Sequence, residues 1–374
     1  MSHIRPYIPP ELTPEPPIDL VKLYTHLEKA TLALAGLNIT CKSIPNTSLF
    51  IYMYIRKEAL LSSQIEGTQS SFSDLMLFEH NQKPEISIED VEEVSNYVKA
   101  IMYGLERLKD GFPFSLRLLR EIHNILLSGG CGSKKLPGEF RRSQNWIGGT
   151  RLGNALFVPP PVDYLNDCLS HFENFLHDNS LPVLIKAGIA HVQFETIHPF
   201  LDGNGRLGRL LITLLLCHNE ILNAPILYLS IYLKQNRHIY YEILQEVRMH
   251  GNWETWLEFF LEGIHKSAMQ AIQTTNLINQ LFEEDITQIE KAGRARFVCK
   301  QVLEYMKLLP QVNVSMLAKG LDITAPTARH ALELMRKLNI LEEISGKKRD
   351  KIYVYRKYLN ILEEGTEPFT ITSY

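Results

Sequence analysis

The sequence predicts a mainly α-helical protein with one small β-hairpin near its middle and a separate unit of three helices and two short strands at its C-terminus. Three observations lead there. Apolar residues recur at intervals of three and four through much of the chain, strand signals are sparse, and charge and spacing change over roughly the last eighty residues. At 374 residues the chain is too long for one small core, so two or three domains are expected.

Taken in order, the opening twenty residues carry the run PYIPPELTPEPP, whose prolines favour an extended strap over any regular element. Helical spacing then runs from about Leu20 to Leu37 and from about Ser48 to Glu66. It recurs at about Ile88 to Leu108, Ser115 to Leu127, Pro161 to His177 and Pro182 to Ile197. The clearest hairpin candidate is Phe140 to Val158, where FRRSQNWIGG and ALFVPP flank a Gly-rich turn. Residues Ala271 to Lys291 are polar and helical without a dense apolar face, as in a connector. RARFVCKQVLEYMKLLP, VSMLAKGL and TAPTARHALELMRKLNI then read as three helices, and LEEISGKKRDKIYVY as two strands around a basic turn. That order is a winged helix-turn-helix. Fifteen Lys or Arg against six Asp or Glu between Lys291 and Tyr358 would suit a DNA-facing surface, although such units also serve protein contacts.

Composition excludes several classes. A hydrophobic content of 45%, a charged content of 22% and a formal net charge of -3 describe an ordinary globular chain, so any nucleic-acid role is local. The five cysteines (Cys41, Cys131, Cys168, Cys217 and Cys299) are dispersed and form no CxxC pair, which disfavours a disulfide framework or zinc ribbon and suits a reducing cytoplasm. The N-terminal run lacks signal-peptide character, and the apolar run Leu210 to Cys217 is too short to span a bilayer, so no membrane partner is expected.

The chemistry concentrates in His-Pro-Phe-Leu-Asp-Gly-Asn-Gly-Arg-Leu-Gly-Arg, residues 198–209. Pro199 should end the preceding helix near His198, Gly203 and Gly205 permit a tight loop, and a leucine-rich helix resumes at Arg206. Unpaired backbone N–H groups in that loop and in the new first turn favour an anion. Arg206 and Arg209, three apart, share a face and can clamp a polyphosphate. Asp202 beside phosphates implies an intervening divalent cation, and His198 at the loop entrance is placed to take a proton from a hydroxyl. The combination is suited to attack on a nucleotide phosphate. No Walker motif GxxxxGK[ST] occurs, and His191 with His198 supply too few ligands for zinc.

These twelve residues resemble the motif of Fic-domain proteins, HPFx[DE]GNGRxxR, at every defined position. The resemblance implies a Fic-type helical core with a β-hairpin flap that transfers AMP from ATP, with Mg²⁺, to a Ser, Thr or Tyr hydroxyl of a protein, releasing pyrophosphate. It implies His198 as the base and Asp202 as the Mg²⁺ ligand, with Phe200 anchoring the loop. Gly203, Asn204 and Gly205 form the anion hole, and Arg206 and Arg209 hold the outer phosphates, Arg209 at the γ-phosphate. Leu207 and Gly208, within the motif, count with the nucleotide-binding residues. PGEFRRSQNWIGG resembles the flap, with Ile147, Gly148 and Gly149 at its turn, and YLSIYLKQNRHIYYEIL resembles the adenine-pocket segment, with Tyr228 and Asn236 as contacts.

Upstream, LLSSQIEGTQS places Ser62 and Glu66 on one helical face, with Gly67 as a C-cap signal. A glutamate in a last turn opposes the helix dipole, so Glu66 is either solvated or held by a cation. Ser62 to Gly67 resembles the Fic inhibitory motif [ST]xxxE[GN], in the class with an N-terminal inhibitory helix. That resemblance implies an ion pair between Glu66 and Arg209 that withholds Arg209 from ATP. The expected organisation is a strap and inhibitory helical region over 1–110, the catalytic core over 111–265, a connector over 266–290 and the winged helix over 291–362. Expected partners are a target protein or the chain itself, DNA through the winged helix, and a second copy in a homodimer. The alternatives are a DNA-binding regulator whose core senses nucleotide, phosphate transfer, which in a Fic relative goes with Lys where this chain has Gly205, and removal of AMP using Glu66.

Overall fold

In the computed structural model, residues 5–42, 47–79, 84, 86–129, 131–346 and 350–368 are described. After the strap, α1 (Leu20–Lys42) buries Leu23, Ala30, Ala33, Leu34, Leu37 and Cys41 along one side, the spacing of an amphipathic helix. α2 (Thr47–Ile65) is buried almost all round in its second half, and α3 (Phe72–Glu79) follows through a short loop. α4 (Ile88–Lys109) and α5 (Leu116–Leu126) lie against each other, the latter capped by Ser115, whose side chain accepts from the Leu118 N–H. α6 (Val162–His177) leads to α7 (Val183–Ile197) and α8 (Asn204–His218). Apolar residues fill nearly every face of this last pair, so the two helices form the centre of the core.

α9 (Ser230–Gln235) and α10 (Arg237–His250) precede α11 (Trp253–Glu290), 38 residues long and packed along α1. The expected connector is the second half of this helix. It is not a solvated spacer, because Thr274, Thr275, Ile278, Leu281, Phe282, Asp285 and Ile289 are all buried. The boundary expected between 265 and 266 therefore falls inside one continuous helix. The expected strap is extended and fixed to the core, with Gln193 donating to the Pro10 carbonyl and the Tyr7 N–H donating to the Val158 carbonyl.

The C-terminal unit comprises α12 (Arg296–Leu308), β1 (Gln311–Asn313), α13 (Val314–Leu321), α14 (Ala325–Lys337), β2 (Glu342–Glu343), β3 (Ile352–Val354) and α15 (Arg356–Glu363). Its antiparallel sheet has the order β1-β3-β2, with Val312 opposite Tyr353 and Glu343 also opposite Tyr353. The three helices and two strands expected here are present, and β1 and α15 are additional. Lys347, Lys348 and Arg349 of the basic turn lie outside the described residues. The hairpin expected over 140–158 is reduced to one bridge, Ile147 to Phe157. Between them Gly148 and Gly149 take positive φ, and a 3-10 turn covers Leu152–Asn154. Among the described residues no helix is long and apolar enough to cross a membrane.

Candidate active site

The loop between α7 and α8 starts with an unusual backbone. His198 occupies the left-handed region (φ 49°, ψ 60°) as the C-cap of α7, its N–H donating to the Phe194 carbonyl. Gly203, at φ 74°, reverses the chain into α8. Asn204 braces the turn from within. Its Oδ1 accepts from the Phe200 N–H at 2.9 Å, and its Nδ2 donates to the Phe200 carbonyl at 2.9 Å. The Asn204 side chain is thus committed to the loop's shape, and the anion-facing surface is left to backbone and arginines. Phe200 is fully buried and stacks on His123, ring centroids 3.7 Å apart.

His123 itself is fixed by two bonds. The Gly138 N–H donates to Nδ1, so Nε2 carries the proton and donates to the Asp202 carbonyl at 2.9 Å. Burial holds this imidazole down, at about 4, against the opposing pull of Asp202, and it is neutral at physiological pH. Two flap residues hold the other side. Arg141 donates from Nε to the His198 carbonyl at 3.1 Å, and Asn145 donates to the carbonyls of His198 (3.1 Å) and Phe200 (2.9 Å).

His198 is also neutral. Burial lowers its pKa to about 4, helped by the nearby Arg248 guanidinium. Its Nδ1 lies 3.3 Å from the Glu195 carbonyl, an acceptor only, so Nδ1 bears the proton and Nε2 keeps a lone pair. Beneath it Glu195 is buried with Oε1 unpartnered among the described residues, and burial raises its carboxyl to about 7. Oε1 points at Gly208, where an added Cβ would come within 2.4 Å.

Arg209 is held by the other helix. Its Nε donates to Ser62 Oγ at 2.8 Å, and its Nη2 donates to the Ser62 carbonyl at 2.9 Å and to Glu66 Oε1 at 2.6 Å. The Arg209 side chain is 2% exposed and that of Glu66 38%, so the pair sits at the floor of an opening. Burial alone would raise the Glu66 carboxyl, but the Arg209 guanidinium, with Arg206, holds it below the usual range. Gly205 makes the approach feasible, since a Cβ there would stand 2.3 Å from Glu66 Oε1. Arg206 is engaged separately, its Nη1 donating to Glu93 of α4 at 3.0 Å, with Asp202 Oδ1 3.7 Å from Nη2. Asp202 is 41% exposed and accepts the Gly203 N–H at 2.6 Å. A cavity of about 320 Å³ opens between these groups, lined by Glu66, Glu93, His198, Asp202, Gly205 and Arg206.

Other expected contacts lie elsewhere. Leu207 and Gly208 face the core rather than this cavity, Leu207 fully buried and the Gly208 carbonyl paired with His191. Tyr228 is also in the core, against Tyr54 and with its hydroxyl 3.3 Å from Thr274. Asn236 donates to the Tyr232 carbonyl at the junction of α9 and α10. Ile147, Gly148 and Gly149 form the flap turn and are not among the residues lining the cavity. Glu93, Glu195, His123, Arg141 and Asn145 carry no motif of their own. Only the last two sit in a segment already singled out, the flap.

Residues 24–106 match the Fic/DOC family N-terminal model and residues 113–216 the Fic/DOC family model, together half of the chain. The protein adenylyltransferase Fic of Aedes aegypti is 34% identical over 181 residues, 47% of this chain and 33% of that protein. Its namesake from Drosophila virilis is 33% identical over 184 residues, 48% of this chain and 35% of that one. The chain thus spans about a third of the length of these curated relatives. A Fic family protein from Desulfovibrio desulfuricans G20 shares the fold, with a TM-score of 0.59 at 18% identity, over 93% of this chain and 98% of that one. The loop with His198, the two arginines and the helix that bears Glu66 all fall within the matched segments, and the chain belongs to the Fic/DOC family.

Proposed function

We propose that this protein is an adenylyltransferase that moves AMP from ATP to a hydroxyl side chain of a target protein or of itself, and that the structure represents its autoinhibited form. The observation that carries the reading is the three-bond grip of Ser62 and Glu66 on Arg209, beside a neutral His198. Nε2 of His198 accepts the proton of the attacking hydroxyl. That oxygen then bonds to the α-phosphorus as the α–β bridging bond breaks and pyrophosphate leaves. Arg206 and, once released, Arg209 fix the outer phosphates for in-line attack.

Mg²⁺ fits the donor set. Among the described residues no three His, Cys, Asp or Glu side chains gather as a metal cage, but Mg²⁺ with a nucleotide needs only one or two carboxylates besides phosphate oxygens. Asp202, exposed at the cavity mouth, would hold it, and the ion would neutralise charge developing on the phosphates. Removal of AMP through Glu66 has less support, because its Oε1 is already engaged by Arg209 at 2.6 Å. The C-terminal unit is read as a winged helix. Several of its basic residues are already paired, Lys300 with Glu290 and Arg336 and Lys351 with Glu333, so DNA contact rests on the rest of its surface. A reducing cytoplasm is the proposed setting, Cys41, Cys168, Cys217 and Cys299 being free thiols.

The transferred group is tested by incubating Glu66→Gly protein with ATP labelled at either the α- or the γ-phosphate. Label from the α position enters protein, label from the γ position does not, and His198→Ala in the same background abolishes transfer. Incorporation of γ label would show phosphate transfer instead. Mass spectrometry of lysate treated with the same protein and adenosine-tagged ATP identifies the target and the side chain.

A further inference from the structure

The C-terminal unit ends against the helix that holds Arg209. β3 passes through Tyr355 directly into α15, and the chain then turns back, the Thr366 N–H donating to the Glu363 carbonyl. There Gln64 of α2 donates from Nε2 to the carbonyls of Thr366 (2.8 Å) and Ser70 (2.9 Å) and accepts from Lys234 Nζ of α9 at 2.7 Å. The same ammonium donates to the Glu367 carbonyl. One residue of α3 adds a further tie, Ser73 donating to Glu363 at 2.7 Å.

The three bonds made by Gln64 are buried, as are Thr366 and Lys234, so they stand in a low-dielectric setting where their loss is felt. The position of Gln64 on the helix is telling. Ser62 and Glu66 are one turn apart on the face toward Arg209, while Gln64, two residues from each, lies on the opposite face. The front of the last turn grips the arginine and its back is held by the C-terminal segment. Lys57, a turn and a half earlier, is buried with no hydrogen-bond partner among the described residues. Burial lowers its pKa to about 8, opposed by the carboxylates of Glu364 and Glu367, so the tail also supplies the counter-charge for this lysine.

We propose that residues 363–367 are a latch that keeps the last turn of α2 seated on Arg209, so that a ligand or partner bound to the C-terminal unit releases the arginine by withdrawing the tail. The anchor at the other end supports this coupling. Tyr355 donates to buried Asp285 of α11, and Tyr358 donates to the Lys307 carbonyl of α12, which ties α15 to both the long helix and the C-terminal unit. The proposal rests on the autoinhibited reading above.

The test compares self-labelling with adenosine-labelled ATP in the wild type, a chain ended after Glu364, Lys234→Met and Glu66→Gly. Loss of the Gln64–Thr366 and Lys234–Glu367 bonds should raise labelling by roughly 5- to 100-fold in the shortened chain, and less in Lys234→Met, which keeps the bond to Thr366. Adding the truncation to Glu66→Gly should raise labelling less than it does in the wild type, because both changes loosen one grip and only the Ser62 bonds remain to be lost. Amide exchange of residues 62–67 should accelerate in the shortened chain and in Lys234→Met. If Glu66→Gly labels faster while both tail variants label and exchange as the wild type, the latch is overturned and the inhibition stands. If Glu66→Gly itself labels no faster, the inhibited reading fails and takes the latch with it.

Discussion

Arg209 has its acceptors in Ser62 and Glu66, which in the proposed reaction compete with a phosphate of ATP. Both nitrogens of its Nε–Nη2 edge are occupied by Ser62 and Glu66, the edge a guanidinium would otherwise offer to a phosphate. Arg206 is tied differently, through Nη1 to Glu93. Beside them His198 is a base whose proton affinity has been lowered by burial to about 4, well below the ordinary imidazole. Its sign matters for activity: the imidazole is neutral, hence able to accept a proton, down to acid pH. The pH–rate profile of the Glu66→Gly enzyme should therefore keep its plateau below pH 6 instead of falling near 6.5. An acid limb at the ordinary histidine value would contradict the assigned environment. The proposed base His198, Asp202 and both arginines were legible from the sequence because they crowd into twelve positions. Glu93 was not, since it sits within the acidic run EDVEEV, where a solvated face is the natural expectation.

At the scale of elements, a loop of tight turns is held still by its neighbours on both sides. Asn204 braces it from within, His123 of α5 supports the Asp202 carbonyl, and Arg141 and Asn145 of the flap reach over to the His198 carbonyl. The flap is thus a strut for the loop that carries His198. Asn145→Ala removes two bonds to buried carbonyls and should destabilise the protein by about 1–3 kcal/mol, read as a lowered denaturation midpoint. Activity in the Glu66→Gly background should fall with it, because His198 loses a support. The helices expected between Leu20 and Ile197 were legible from spacing alone, most of their observed ends falling within a few residues of expectation, whereas α3 and α10 were not read as helices. The second half of α11 was misread because its buried face includes Thr274, Thr275 and Asp285, polar residues whose burial depends on partners such as Tyr54 and Tyr355 distant in sequence. β1 escaped notice because three residues, Gln311 to Asn313, carry too little alternation to signal a strand.

For the molecule as a whole, buried ionisable groups set how stability responds to pH. His123, His191 and His198 are held neutral, at about 4, 3 and 4, chiefly by burial. Each has a folded pKa below its unfolded value, so its contribution is present above about 6.5 and is lost as pH falls through the folded value. Glu58 and Glu195, raised by burial to about 7, act in reverse, losing stability as pH rises through the folded value. Near neutrality the two sets offset each other, and below about pH 6 the histidines prevail. Tm should therefore decline between about pH 6 and pH 4, and a flat or rising Tm over that interval would contradict the assignment. The same core links distant parts of the chain: α11 runs unbroken from its packing against α7 to the C-terminal unit, whose tail returns to α2.

The central claim is that Glu66 withholds Arg209 from ATP, and one rate comparison tests it directly. Self-labelling with adenosine-labelled ATP is measured for the wild type and Glu66→Gly under identical conditions. A charge-assisted contact of this kind is worth about 1.5–3 kcal/mol, and the partial exposure of Glu66 favours the lower end, so Glu66→Gly should label roughly ten- to a hundredfold faster. Equal rates for the two proteins would contradict the account.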